Sequence, residues 1–146
     1  MAKKRQPYYD WNKEEGIATC ILFDGQTPFI GVAKCHPDDV DFQSEKTGMI
    51  IAESRAEINA LQHYKNNVLK PGLDALNQLY YSINLSKQYN KKSYESKMLY
   101  RQIEMKKKDI EVIKEILDQR KKELKQFIDD KDEFYKTVKK NRGESN

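Results

Sequence analysis

The sequence predicts an α+β chain: a small antiparallel β-hairpin or sheet, then two long antiparallel helices, the first kinked near Pro71, assembled into an oligomer. Three observations predict it. Two β-branched, apolar runs flank a turn-rich Asp24-Gly25-Gln26-Thr27-Pro28 segment. Apolar residues then recur at helical spacing from about residue 45 to residue 89. Beyond a polar break at 90–93, a helical pattern continues to about Lys140, far past the usual helix of about 11–12 residues. A helix of that reach, roughly 65 Å at 1.5 Å per residue, outruns any single small core. It must lie along another helix, and the sequence points to another chain.

Residues 1–15 form a charged and aromatic arm, with Tyr8-Tyr9-Asp10-Trp11 between lysine-rich flanks, and are expected to be flexible. Residues 16–140 are expected to form one α+β domain, and 141–146 a disordered tail. The first strand is Ile17-Ala18-Thr19-Cys20-Ile21-Leu22-Phe23 and the second Phe29-Ile30-Gly31-Val32-Ala33-Lys34-Cys35, joined by a five-residue turn. Neither alternates cleanly between apolar and polar residues. Both faces are therefore expected to be covered, one by a helix and one by a partner chain. A lone hairpin is marginal, so further strands are expected from the arm or a second subunit.

Residues 36–42 read as a loop, with Pro37 holding His36 extended. The first helix begins near Ser44, and Ala52, Ala56 and Ala60 permit close approach. Pro71 lacks an N–H and its ring crowds the preceding turn, so a kink or break is expected at Lys70-Pro71-Gly72. Leu73, Leu76, Tyr80 and Ile83 carry the pattern on, and Ser93 is a suitable N-cap for the last helix. In that helix Ile103, Ile110, Leu117 and Leu124 recur every seventh residue, with Ile113, Phe127 and Phe134 at companion positions and Lys106 and Arg120 interrupting. This is an imperfect coiled-coil seam.

Composition narrows the function. Charged residues make up 34% and apolar residues 38%, a thin core under a solvated surface that favours oligomerisation. A net charge of +4 suits small anions better than a nucleic-acid coat. No apolar run is long enough to span a bilayer, no signal peptide is evident, and two cysteines do not make a disulfide framework, so a cytoplasmic protein with reduced thiols is expected.

The Cys35-His36-Pro37-Asp38-Asp39 cluster lacks the paired spacing of a zinc site, since the other histidine, His63, lies on a helix. Adjacent Cys35 and His36 on a strand point to opposite faces and make a poor nucleophilic pair. There is no glycine-rich phosphate loop. No catalytic residue, metal or cofactor is assigned, and the chain is not expected to be an enzyme.

Arginine is the scarcer cation: of 27 basic residues only Arg5, Arg55, Arg101, Arg120 and Arg142 are arginine. Arg101 lies across the interhelical turn from Tyr80, Tyr81 and Asn84, and Arg55 lies among small residues on the first helix. A guanidinium makes forked contacts with phosphate and a tyrosine ring stacks on a base, so these residues suit a nucleotide pocket. The alternative is an interhelical salt bridge for Arg55 and a solvated flank for Arg101. Arg120 reads as a polar member of the seam.

The stretch Gly31-Val32-Ala33-Lys34-Cys35-His36-Pro37-Asp38-Asp39, followed by Gly48, Ala52 and Arg55-Ala56, resembles small phage proteins. A short sheet before two long helices resembles the anti-Thoeris sponge family of phages, which sequesters cyclic ADP-ribose-type immune signals without cleaving them. The resemblance implies a homo-oligomer in the host cytoplasm, with pockets where subunits meet. It also implies that Phe23 or Phe29, with Arg55, Asn84 and Arg101, holds adenine and phosphate. One departure stands out: a turn after Arg101 comes Met105, not a second cation. The rival expectation is an adaptor that binds protein or nucleic acid through its basic arm and helices. Under the sponge reading the partners are a small nucleotide signal and further copies of the chain, with no membrane and no nucleic acid.

Overall fold

A computed structural model describes residues 5–35, 45–85, 94–141 and 143. Outside them lie the start of the arm, the 36–42 loop, the helix start near Ser44, Tyr89, the 90–93 break with the Ser93 cap, Arg142 and residues 144–146. The architecture is α+β: strands β1 (Tyr8–Asn12), β2 (Ile17–Asp24) and β3 (Thr27–Lys34), then helices α1 (Glu45–Tyr64), α2 (Lys70–Leu85) and α3 (Tyr94–Asn141). The chain divides into two compact units: residues 1–60 with 118–146, and residues 61–117.

The first unit is a sheet under helices. Its strands pair antiparallel in the order β1-β2-β3. The arm itself supplies β1, the third strand that the hairpin's marginal stability called for. Asn12 organises the β1–β2 turn. Its carbonyl accepts from Gly16 N–H at 2.8 Å, its side-chain Oδ1 accepts from Glu15 N–H at 3.1 Å, and Gly16 takes the left-handed φ of 67°. The β2–β3 turn is tighter than expected. Asp24 pairs with Thr27, which leaves a two-residue loop in which Gly25 carries a φ of 62° and Gln26 a negative one. That matches a type II′ turn, whose twist suits the strands. Pro28 is tolerated inside β3 because β3 is an edge strand and Pro28 opposes Phe23 one pair beyond the turn-closing pair, where its nitrogen faces away from β2.

The register sorts side chains to two faces. Trp11, Ala18, Cys20, Leu22, Phe29, Gly31 and Ala33 share the inner one. There Ala18, Cys20 and Ala33 meet Ile51, Ala52 and Ala56 of α1, flanked by Met49 and by Leu124, Phe127 and Ile128 of α3. Small residues let backbones touch. A Cβ on Gly31 would strike the Ala52 carbonyl oxygen and come 2.5 Å from the Ala56 nitrogen, while one on Gly48 would lie 3.0 Å from the Ala18 Cβ. The outer face, where a partner chain was expected, leaves Tyr8, Ile30 and Val32 exposed in the single chain.

The second unit is a helical hairpin. Asn84 contacts Ser96, Tyr80 lies against Tyr100, and Gly72 lies beside Lys106, so α2 runs antiparallel to the first half of α3. Its core is Leu69, Ile103, Ile110 and Leu117. No break forms at Pro71. The helix is joined from Glu45 to Leu85, and a π turn at Lys65–Leu69 absorbs the proline. Lys70 N–H donates to the Lys65 carbonyl five residues back, and this wider turn re-routes the bonds that a proline would otherwise leave broken.

Two expectations about α3 change. The heptad seam does not wait for another chain, because Ile103, Ile110 and Leu117 are already buried within the single chain. The seam also drifts. Phe134 is 63% exposed, and Tyr135 takes the inward place at 9%. A straight helix of 3.6 residues per turn falls behind a seven-residue repeat by about 20° per heptad, so the inward position moves on by one residue.

Candidate functional site

The second unit holds an open groove of about 480 Å³ walled by Tyr80 of α2 and by Ser96, Lys97, Tyr100, Arg101 and Glu104 of α3. The α3 residues fall at i, i+1, i+4, i+5 and i+8, one face of the helix. Ser96 is fully buried and donates to Asn84 Oδ1 at 2.9 Å, which ties the two helices at the groove's floor. The Tyr80 and Tyr100 rings lie 6.2 Å apart at 49°, a tilted pair. Lys97 and Arg101 stand one turn apart beside them. Glu104 is engaged only weakly, by Lys107 Nζ at 3.5 Å in an exposed pair. Aromatic faces, two cations and several hydroxyls in a cavity of this size suit an anion that also carries a flat ring.

The groove gathers two of the residues singled out from sequence, Tyr80 and Arg101, with Asn84 joined to its wall through Ser96. Tyr81 is 66% exposed and is not one of its walls. Phe23, Phe29 and Arg55 belong to the other unit. Phe29 is buried on the inner face of the sheet, whereas Phe23 lies on the outer face with the Arg5 guanidinium 4.8 Å above its ring.

Arg55 has a structural partner: its Nη1 donates to the Val32 carbonyl at 2.7 Å, and Asn59 Nδ2 donates to the Ile30 carbonyl at 2.8 Å. Both carbonyls belong to the outer edge of β3, where no further strand among the described residues donates to them. The two α1 side chains thus satisfy a sheet edge. Arg120 pairs with Glu57 at 2.9 Å.

Tyr100 stands out in the sequence only as one of the tyrosines Tyr80, Tyr81, Tyr89, Tyr94 and Tyr100 gathered around one turn, most of which suit packing and one or two a ligand platform. Sequence reasoning missed Lys97, Ser96 and Glu104. It sought the second cation one turn after Arg101 and found Met105. The cation stands one turn before, at Lys97. The helical spacing of 96, 97, 100, 101 and 104 was the available signal.

Elsewhere, a recess of about 30 Å³ lined by Trp11, Ala33, Cys35, Gly48, Lys131 and Tyr135 has room for about one water. Cys20 sits buried in the core, and burial first, then the Glu53 and Glu57 carboxylates, pushes its thiol up to about 11. The Tyr9 hydroxyl is also pushed up, by burial first and then by the Glu53 carboxylate, which accepts its hydrogen bond at 3.5 Å. Among the described residues no three His, Cys, Asp or Glu side chains group to hold a metal, and no helix is long and apolar enough to cross a membrane. Compared with protein-family models, curated proteins and solved structures, the chain matches none.

Proposed function

We propose that this chain is a non-catalytic binding protein that sequesters a nucleotide-derived anion, with a cyclic ADP-ribose-type signal as its ligand and the host cytoplasm as its setting. The observation that carries the reading is the α2–α3 groove, where the Tyr80 and Tyr100 rings adjoin Lys97 and Arg101. A tyrosine face stacks an adenine, and the two cations neutralise a diphosphate, Arg101 by forked hydrogen bonds and Lys97 as a point charge. The narrower choice of ligand comes from the resemblance to anti-Thoeris sponges.

The test incubates the pure protein with lysate containing the activated Thoeris signal, removes free small molecules and heats the protein. Intact signal is expected in the released fraction from the native protein and is lost with Arg101→Ala at unchanged helical content. Recovery of only degraded signal, or undiminished retention by Arg101→Ala, rejects the reading. Salt-dependent binding to bulk DNA or RNA with no retained nucleotide would instead support an adaptor working through its basic residues.

A further inference from the structure

Helix α3 carries two apolar stripes on roughly opposite sides, and among the described residues only one of them is covered. The covered stripe is Ile103, Ile110 and Leu117. The other is Tyr94, Met98, Met105, Val112 and Ile116, all exposed. At 100° per residue these five fall within a sector about 40° wide, roughly opposite the buried seam. They run along about 33 Å of helix. A solvated helix face has no need of such a row, and exposed apolar rows of this extent mark interaction surfaces.

The spacing names the occupant. The steps from Tyr94 to Ile116 are four, seven, seven and four residues, the same read from either end, with Met105 at the centre. A two-fold axis beside Met105 therefore sets Tyr94 opposite Ile116, Met98 opposite Val112, and Met105 opposite itself. A two-fold interface needs this self-complementarity. The polar residues at the margins agree. In that register Gln102 meets the partner's Asp109 on one flank, and Lys97 meets the partner's Glu115 on the other, each contact occurring twice.

We infer that a second copy of this chain docks antiparallel on this stripe, with the two α3 helices crossing at Met105. The inference deepens the sponge reading, and rests on it only for the role of Arg101. The antiparallel register brings Arg101 beside the partner's Lys108, and the symmetric pair lies on the same flank. Four cations then line one side of the interface, next to the two grooves. The partner's Lys108 thus joins Arg101 and Lys97 of the groove as a further phosphate-facing cation, while Met105 holds the copies together.

Single cysteines introduced into a Cys35→Ser background test the geometry, since Cys20 is buried. Met105→Cys is expected to form a covalent dimer under mild oxidation. Met98→Cys alone is expected not to, because its own equivalent lies about 21 Å away. An equimolar mixture of Met98→Cys and Val112→Cys is expected to cross-link. Light scattering should find a dimer for the native chain and for Arg101→Ala, and a monomer of undiminished helicity for Met105→Glu. A native monomer at tens of micromolar overturns the inference, as does cross-linking of Met98→Cys with itself, which signals a parallel pair. Nucleotide retention separates the two proposals: loss in dimeric Arg101→Ala speaks to the groove, and loss of dimer in Met105→Glu speaks to the stripe.

Discussion

The two compact units solve the same problem in opposite ways. In the first, backbone is pressed against backbone: Gly31 and Gly48 admit α1 onto the sheet, Ala18, Ala33, Ala52 and Ala56 fill the contact, and Arg55 and Asn59 satisfy the exposed edge of β3. In the second, two helices meet along a single file of Leu69, Ile103, Ile110 and Leu117, and α2 has no buried residue of its own. The first unit buries the inner face of its sheet and leaves Tyr8, Ile30 and Val32 exposed on the outer one. The second leaves Tyr94, Met98, Met105, Val112 and Ile116 in water and holds the aromatic, cationic groove. The sheet-backed core and the candidate groove thus belong to different units. The difference predicts that substitutions in the first unit act on folding, and that surface substitutions in the second act on binding and assembly.

The largest expected effect is that of Gly31→Ala. The added methyl drives into the Ala52 carbonyl, backbone that cannot swing aside as a side chain would. A loss of about 3 kcal/mol or more is expected, with the chain unfolded or its urea midpoint sharply lowered. A native-like midpoint would dissolve the contrast. In the hairpin, Ile103→Ala is expected to cost about 2–3 kcal/mol, toward the low end for buried aliphatic truncation because a single file of contacts relaxes easily. Circular dichroism during urea titration measures both.

The alkaline limb sharpens the comparison. Folded Cys20 keeps its proton to about 11, against an ordinary value of 9.0 in the unfolded chain. Between those values the unfolded state binds fewer protons, so stability falls as pH rises. This contribution is fully present below about pH 9 and is lost at up to about 1.4 kcal/mol per pH unit above it. Cys20→Ala should flatten that slope, whereas Ile103→Ala should leave it intact. Smaller still, Ser96→Ala leaves Asn84 Oδ1 without its donor at the groove floor and is expected to cost about 1 kcal/mol. Arg120→Ala removes an exposed ion pair with Glu57 and should change stability by less than about 1 kcal/mol, an effect that 0.5 M salt mimics.

Much of this was legible in the sequence where the information is local. The hairpin strands, the long α3 and its seven-residue repeat follow from periodicity, and the alanines of α1 signalled close approach. Arg101 and Tyr80 were legible because they flank one interhelical turn. What the sequence concealed is long-range. Nothing near Arg55 announces the Val32 carbonyl 23 positions away that it serves. Tyr8–Asn12 reads as an arm because its pairing partner lies beyond the turn. Pro71 signalled a disruption, but the π turn that accommodates it depends on a choice between hydrogen-bond patterns that composition does not reveal. The second stripe escaped notice for another reason. Lys106-Lys107-Lys108 interrupts it in the linear text, although in the helix Lys106 and Lys107 point away from Met105 and Lys108 falls at the stripe's flank.

The claim on which the account turns is that the α2–α3 groove takes a nucleotide anion. Titration calorimetry of cyclic ADP-ribose into the intact protein tests it directly. Saturable binding is expected, weakened at least tenfold, or about 1.4 kcal/mol, by Arg101→Ala and by Tyr100→Ala and left unchanged by Arg55→Ala. An absence of binding at millimolar ligand, or full-strength binding by Arg101→Ala and Tyr100→Ala, would contradict it.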